Sequence, residues 1–163
     1  MRRLFVITAM AGSLVLAASA LAVLPTQRSK FNGVTSEHAI NGYKPTVTFT
    51  APAGGRTLRN FVFETLGCFG TGRFPVGVDP FAEAPWRVAK IPVDKTGVYS
   101  AKVKATSTAL DAGKLTATIS GSFTSASKVT GKITFWQVQS GAECGPQTVK
   151  FTATTDRPTS LSP

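Results

Sequence analysis

The chain has 163 residues, with 18 Lys and Arg against 8 Asp and Glu, one His and two Cys. Two thiols and one His are too few for a structural metal centre, so neither a metal nor another cofactor is expected. A basic excess of this size favours anionic partners, but the Lys and Arg are scattered singly, with no run of three, and no nucleic-acid role is expected.

In chain order, Arg2 and Arg3 precede an apolar run from Leu4 to Leu24, interrupted by Thr8, Gly12, Ser13 and Ser19. That is the layout of a signal peptide over residues 1–22, with cuts offered after Ala20 or after Ala22. The protein is expected to be secreted or held in the cell envelope. The alternative is anchoring by an uncleaved N-terminal segment, the one route to a membrane. Losing the leader removes Arg2 and Arg3 and leaves a formal excess of eight positive charges on a chain long enough for one domain. Residues 23–45 form an N-terminal lead-in; within it, 25–45 is polar, holds two Asn-Gly pairs and has room for one short edge strand.

Period-two patterns then recur. They run through Val47 and Phe49, through Phe61 and Phe63, and through "WRVAKIPV" up to Pro92. Asp94 and Gly97 suit a turn into a strand with Tyr99, Ala101, Val103 and Ala105 on one face. Leu115, Ala117, Ile119, Gly121 and Phe123 alternate with polar residues, and after "TSASK" the pattern resumes through Val129, Gly131, Ile133 and Phe135, which predicts a hairpin. Gly121 and Gly131 are read as bulges or close-packing points. A last strand runs through Val149, Phe151 and Ala153, and the tail 155–163 is expected to be disordered. Seven or eight short strands predict an all-β antiparallel β-sandwich over 46–154, immunoglobulin-like or jelly-roll-like. In an oxidising compartment Cys68 and Cys144 have one possible pairing, a disulfide closing a loop of about 75 residues and stabilising the fold by about 4 kcal/mol.

The order "NGVTSE", "TVTFTAP", "LRNFVFETLGCF", "IPVDKTGVYSAKV", "ISGSFTSASKVTGKITF" and a late Cys before "GPQTVKFTAT" resembles small exported bacterial domains of unknown function, spanning about residues 33–154. The resemblance implies a β-sandwich, export and one disulfide. It brings no catalytic residues.

Three function classes remain. A non-enzymatic exported binding or structural module would present a basic, Thr- and Ser-rich sheet face to a glycan, a polyanion or a protein. Its candidate contacts are Lys132, Thr134 and Trp136, in phase on one strand, with Trp86 after the long loop 68–86. An envelope hydrolase would need paired carboxylates, for which Asp79 and Glu83 in that loop are the candidates. A secreted protease inhibitor would present the same loop. The local "SEH" at Ser36–His38 spells triad residue types, but neighbours in sequence rarely converge. The binding module is favoured, with no catalytic residue assigned.

Overall fold

The structure is a computed structural model that describes residues 23–37, 42–66, 84–107, 113–139 and 142–155. The leader, His38, Cys68, Asp79 and Glu83 lie outside the described residues, and with them the disulfide and the loop carboxylate pair.

Eight strands follow in order: β1 (Ser29–Thr35), β2 (Thr46–Ala51), β3 (Thr57–Thr65), β4 (Ala84–Pro92), β5 (Val98–Ser107), β6 (Lys114–Ser125), β7 (Lys128–Gln139) and β8 (Ala142–Thr155). Each pairs antiparallel with the next, and β1 also pairs with β8, setting Phe31 opposite both Phe49 and Thr155. The sheet therefore closes on itself as an up-and-down barrel. This corrects the expected sandwich. A period of two reports that one face is buried, which sandwiches and barrels share; what separates them is whether the first and last strands meet.

The strand that closes the barrel lies inside the segment read as a lead-in. Asn32-Gly33 spells a hairpin turn, yet it sits in the middle of β1. A Cβ on Gly33 would come 2.6 Å from the Ala153 Cα and 2.7 Å from its Cβ. Glycine here lets β1 come close to β8. At the other end of the chain β8 runs through Thr155, so the last strand takes the first residue of the expected tail.

Aromatic side chains fill the interior. Phe31, Phe49 and Phe61 come from three successive strands and stack with ring centroids 5.0 and 5.4 Å apart, both pairs at 10°. Phe151 meets Phe61 edge-on at 5.9 Å, and Phe123 meets Phe31 edge-on at 5.5 Å. Such pairs contribute about 0.5–1.5 kcal/mol each beyond their burial. Asn60, at φ 51°, lets Leu58 and Phe61 both point inward where the β2–β3 register shifts between Thr48 and Thr50, as a β-bulge does. Among the described residues the seam between β4 and β5 is the sparsest, pairing Trp86 with Ser107 and Arg87 with Thr106.

One end of the barrel carries tight connections and is crossed by the chain before β1. Thr26 donates from its backbone N–H to the Ala126 carbonyl at 2.7 Å, and Val23 packs on the core. Gly97, at φ 80°, allows the Val23 carbonyl to approach where a side chain would stand. As its spacing predicts, Asp94 opens the turn there: its carbonyl accepts from the Gly97 N–H at 3.2 Å.

Candidate functional site: the outer face of β5 to β8

Apolar side chains point inward on these strands, so the alternate positions face out. The outward residues of β5 to β7 include Ser100, Lys102 and Lys104, then Thr116, Thr118 and Ser120, then Thr130, Lys132, Thr134 and Trp136. Apolar inside with Lys, Ser and Thr outside is the reverse of the alternation in a barrel that faces lipid. Strands β5, β6 and β7 carry no acidic residue at all, and β8 carries Glu143 near its start.

The cross-strand register turns this alternation into rows. Ser100, Ser120, Lys132 and Lys150 form one row across β5, β6, β7 and β8. Lys132 and Lys150 are therefore directly opposite each other, a placement that brings two Cβ atoms to about 5 Å and is destabilising for like charges. The next row is Lys102, Thr118, Thr134 and Thr148, whose last two hydroxyls are hydrogen-bonded at 2.9 Å. One row further lie Lys104, Thr116 and Trp136.

Beside the first row, between it and Ser122, Thr130 and Thr152, lies an open groove of about 470 Å³. Its floor includes Gly121 and Gly131, which pair with each other. Ser120 and Ser122 line it from β6, Thr130 and Lys132 from β7, and Thr148, Lys150 and Thr152 from β8. The two glycines are needed from the inside. A Cβ on Gly131 would lie 2.6 Å from the Phe151 ring and 2.7 Å from the Ser120 carbonyl oxygen, and one on Gly121 would run into the Tyr99 hydroxyl. They are thus close-packing points, while the bulge of this hairpin lies at Phe123/Ser125.

Trp136 is 43% exposed on this face. The β8 register shifts opposite it, where Gly145 and Pro146 stand between the Phe135 and Gln137 pairings. A Cβ on Gly145 would come 3.0 Å from the indole Cδ1, so the ring leans across a position that has no side chain.

The structure brings Lys132, Thr134 and Trp136 together on one face and puts Trp86 elsewhere. Trp86 is fully buried inside the barrel, where its Nε1–H donates to Thr65 Oγ1 at 3.1 Å. Thr65 in turn lies 3.5 Å from Gln137 Oε1, so the three buried polar groups serve one another. Of the residues in the "SEH" motif, Ser36 is occupied with the backbone: its Oγ accepts from the Lys150 N–H at 3.0 Å. Glu37 is half-buried with Oε2 unpartnered, and burial raises its pKa against a weaker opposing hydrogen bond from the Leu66 backbone. Glu64 accepts from Tyr43 Oη at 2.6 Å, and from the Thr46 N–H and hydroxyl at 2.7 and 2.8 Å. The Tyr99 hydroxyl is buried without a partner, and desolvation pushes its pKa well up.

Sequence reasoning missed Lys150 and the glycine floor. Lys150 has outward phase within "TVKFTAT", but phase does not reveal which residue stands opposite, and the β7–β8 register is what pairs it with Lys132.

No protein-family profile matches the chain, and no curated protein matches it. Among solved structures, a redesigned beta barrel aligns over 82% of this chain and 99% of its own, with 11% identity and a TM-score of 0.43. The barrel assignment rests on the hydrogen-bonded ladder itself.

Proposed function

We propose that the protein is a non-enzymatic, extracytoplasmic binding module that holds an anionic polymer on the outer face of β5 to β8. The observation that carries this reading is the opposed Lys132–Lys150 pair on a face whose other outward residues are mostly Ser and Thr, on strands almost without acids. Like charges directly opposite cost stability when the face is empty. A bound anion removes that cost, and the surrounding Ser and Thr hydroxyls can donate to its oxygens. Export is supported by the leader pattern at the start of the chain.

The test is retention of the purified protein on envelope fractions, at low salt and at high salt, for the natural chain and for Lys132→Gln with Lys150→Gln. The natural chain is expected to be retained in a salt-sensitive way, since surface charge contacts are screened. The double substitution is expected to lose that retention while the ligand-free protein melts at the same temperature or higher, because relieving the pair returns about 0.2–1 kcal/mol. Equal retention of both proteins would sink the reading.

A further inference from the structure

Trp136 and the lysine pair share one face, and an ion alone uses only the second of them. Along β7 the four steps from Lys132 to Trp136 span about 13 Å at strand rise. Across the sheet, Trp136 is followed by Thr116 and then Lys104. An occupant that touches all of these must be extended, carry separated negative charges, and present an apolar ring face to a half-exposed indole. It must also accept and donate to rows of hydroxyls.

We infer that the occupant is an acidic glycan, a chain of sugar rings bearing carboxylate or sulfate groups, with one ring stacked on Trp136 and an acid group held between Lys132 and Lys150. This deepens the anion-binding reading and rests on it. Other polymers fit the face less well. Single-stranded nucleic acid is gripped by successive stacking platforms, whereas the outward positions of β5 to β8 offer one aromatic ring. Bidentate phosphate recognition favours Arg, and these four strands carry Lys alone as their cation. A peptide adding as a strand needs a free edge, and β6, β7 and β8 are each paired on both sides.

The experiment measures binding to the purified protein by Trp emission and by calorimetry, using five probes. They are a hexameric galacturonate, its methyl ester, a sulfated hexasaccharide, inorganic polyphosphate and a single-stranded oligonucleotide. Trp86 is fully buried and Trp136 is exposed, so an emission change that protects against acrylamide quenching reports on Trp136. The galacturonate, the sulfated sugar or both are expected to bind and protect Trp136; which is tighter identifies the acid. The methyl ester is expected not to bind. Trp136→Ala should weaken the acidic sugar at least about ten-fold, as loss of an aromatic anchor does, and leave polyphosphate nearly unchanged. Lys132→Gln with Lys150→Gln should weaken both.

If Trp136→Ala leaves acidic-sugar affinity intact while the lysine variant loses it, the glycan assignment is overturned and the anion face stands. Tighter binding of the oligonucleotide, with the same dependence on Trp136, overturns it in favour of nucleic acid. If no anion binds, or the lysine variant binds as well as the natural chain, both readings fail together.

Discussion

The two walls of this barrel are held by different means. From β6 to β8 the ladder is nearly continuous: β7 pairs with β8 from Lys128↔Thr154 to Gln139↔Ala142, with one shift. Around β3 and β4 it is interrupted on either side of a continuous β3–β4 ladder, by the Asn60 bulge facing β2 and by a β4–β5 seam that pairs at two positions among the described residues. The interior compensates on that side. Phe61, Phe63 and Trp86 are fully buried from β3 and β4, and Phe61 touches Phe49, Phe63 and Phe151. A wall secured by its backbone can tolerate opposed lysines and glycine pairs. One with sparse pairing depends on what fills it.

The largest expected effect comes from emptying the filled side. Phe61→Ala removes the ring that links three others and should cost about 3–5 kcal/mol, a buried Phe lost to a cavity. Chemical unfolding measures it. Amide exchange sharpens the contrast: protection should fall first at the β4–β5 seam, where two pairings join the strands among the described residues, and last along β6 and β7. Uniform loss of protection over all eight strands would mean the two walls do not differ.

A smaller effect is expected on the ladder-held wall. Gly131→Ala places a methyl against the Phe151 ring and the Ser120 carbonyl, and should cost about 1–3 kcal/mol by overpacking. Adding Phe151→Leu should recover part of the loss by freeing the ring side of the clash. Full additivity of the two changes would show that they do not meet, since only neighbours couple.

The same contrast explains what was legible in the sequence. Alternation placed the inward residues of β5, β6 and β7 correctly, because each of those strands keeps a strict period of two over its buried face. It also put Trp136 outside with Thr134 and Lys132. Closure was hidden because β1 offers one buried aromatic, Phe31, and carries Asn-Gly at its centre. The glycine that serves a close approach to β8 looks, in one dimension, like a glycine that serves a turn. Trp86 was ambiguous because the residues before it form no periodic run, and only its Thr65 partner explains a buried indole. Lys132 and Lys150 became a pair only once the register was known.

The smallest expected effect is the pH response at the two ends. Glu37 has its pKa raised by burial, so its folded value lies above the unfolded one. The stability it contributes is present in acid and is lost as pH rises through the carboxylate range and just beyond it. Asp94 is the opposite case. The Thr96 hydroxyl first, then the Val98 N–H, hold its carboxylate below the usual range, with Asp94 Oδ1 accepting at 2.6 and 3.0 Å. Its contribution is present above that range and is lost as pH falls through the folded value. Melting temperature followed from acid to neutral pH should therefore change slope with each substitution in its own direction. Glu37→Gln should flatten the decline toward neutral pH and raise stability there, while Asp94→Asn should flatten the rise out of acid and lower it. If Glu37→Gln leaves the neutral-side slope as it was, its carboxylate is solvated in the folded barrel, and the crossing from β1 toward Leu66 is looser than the hydrogen bond there implies.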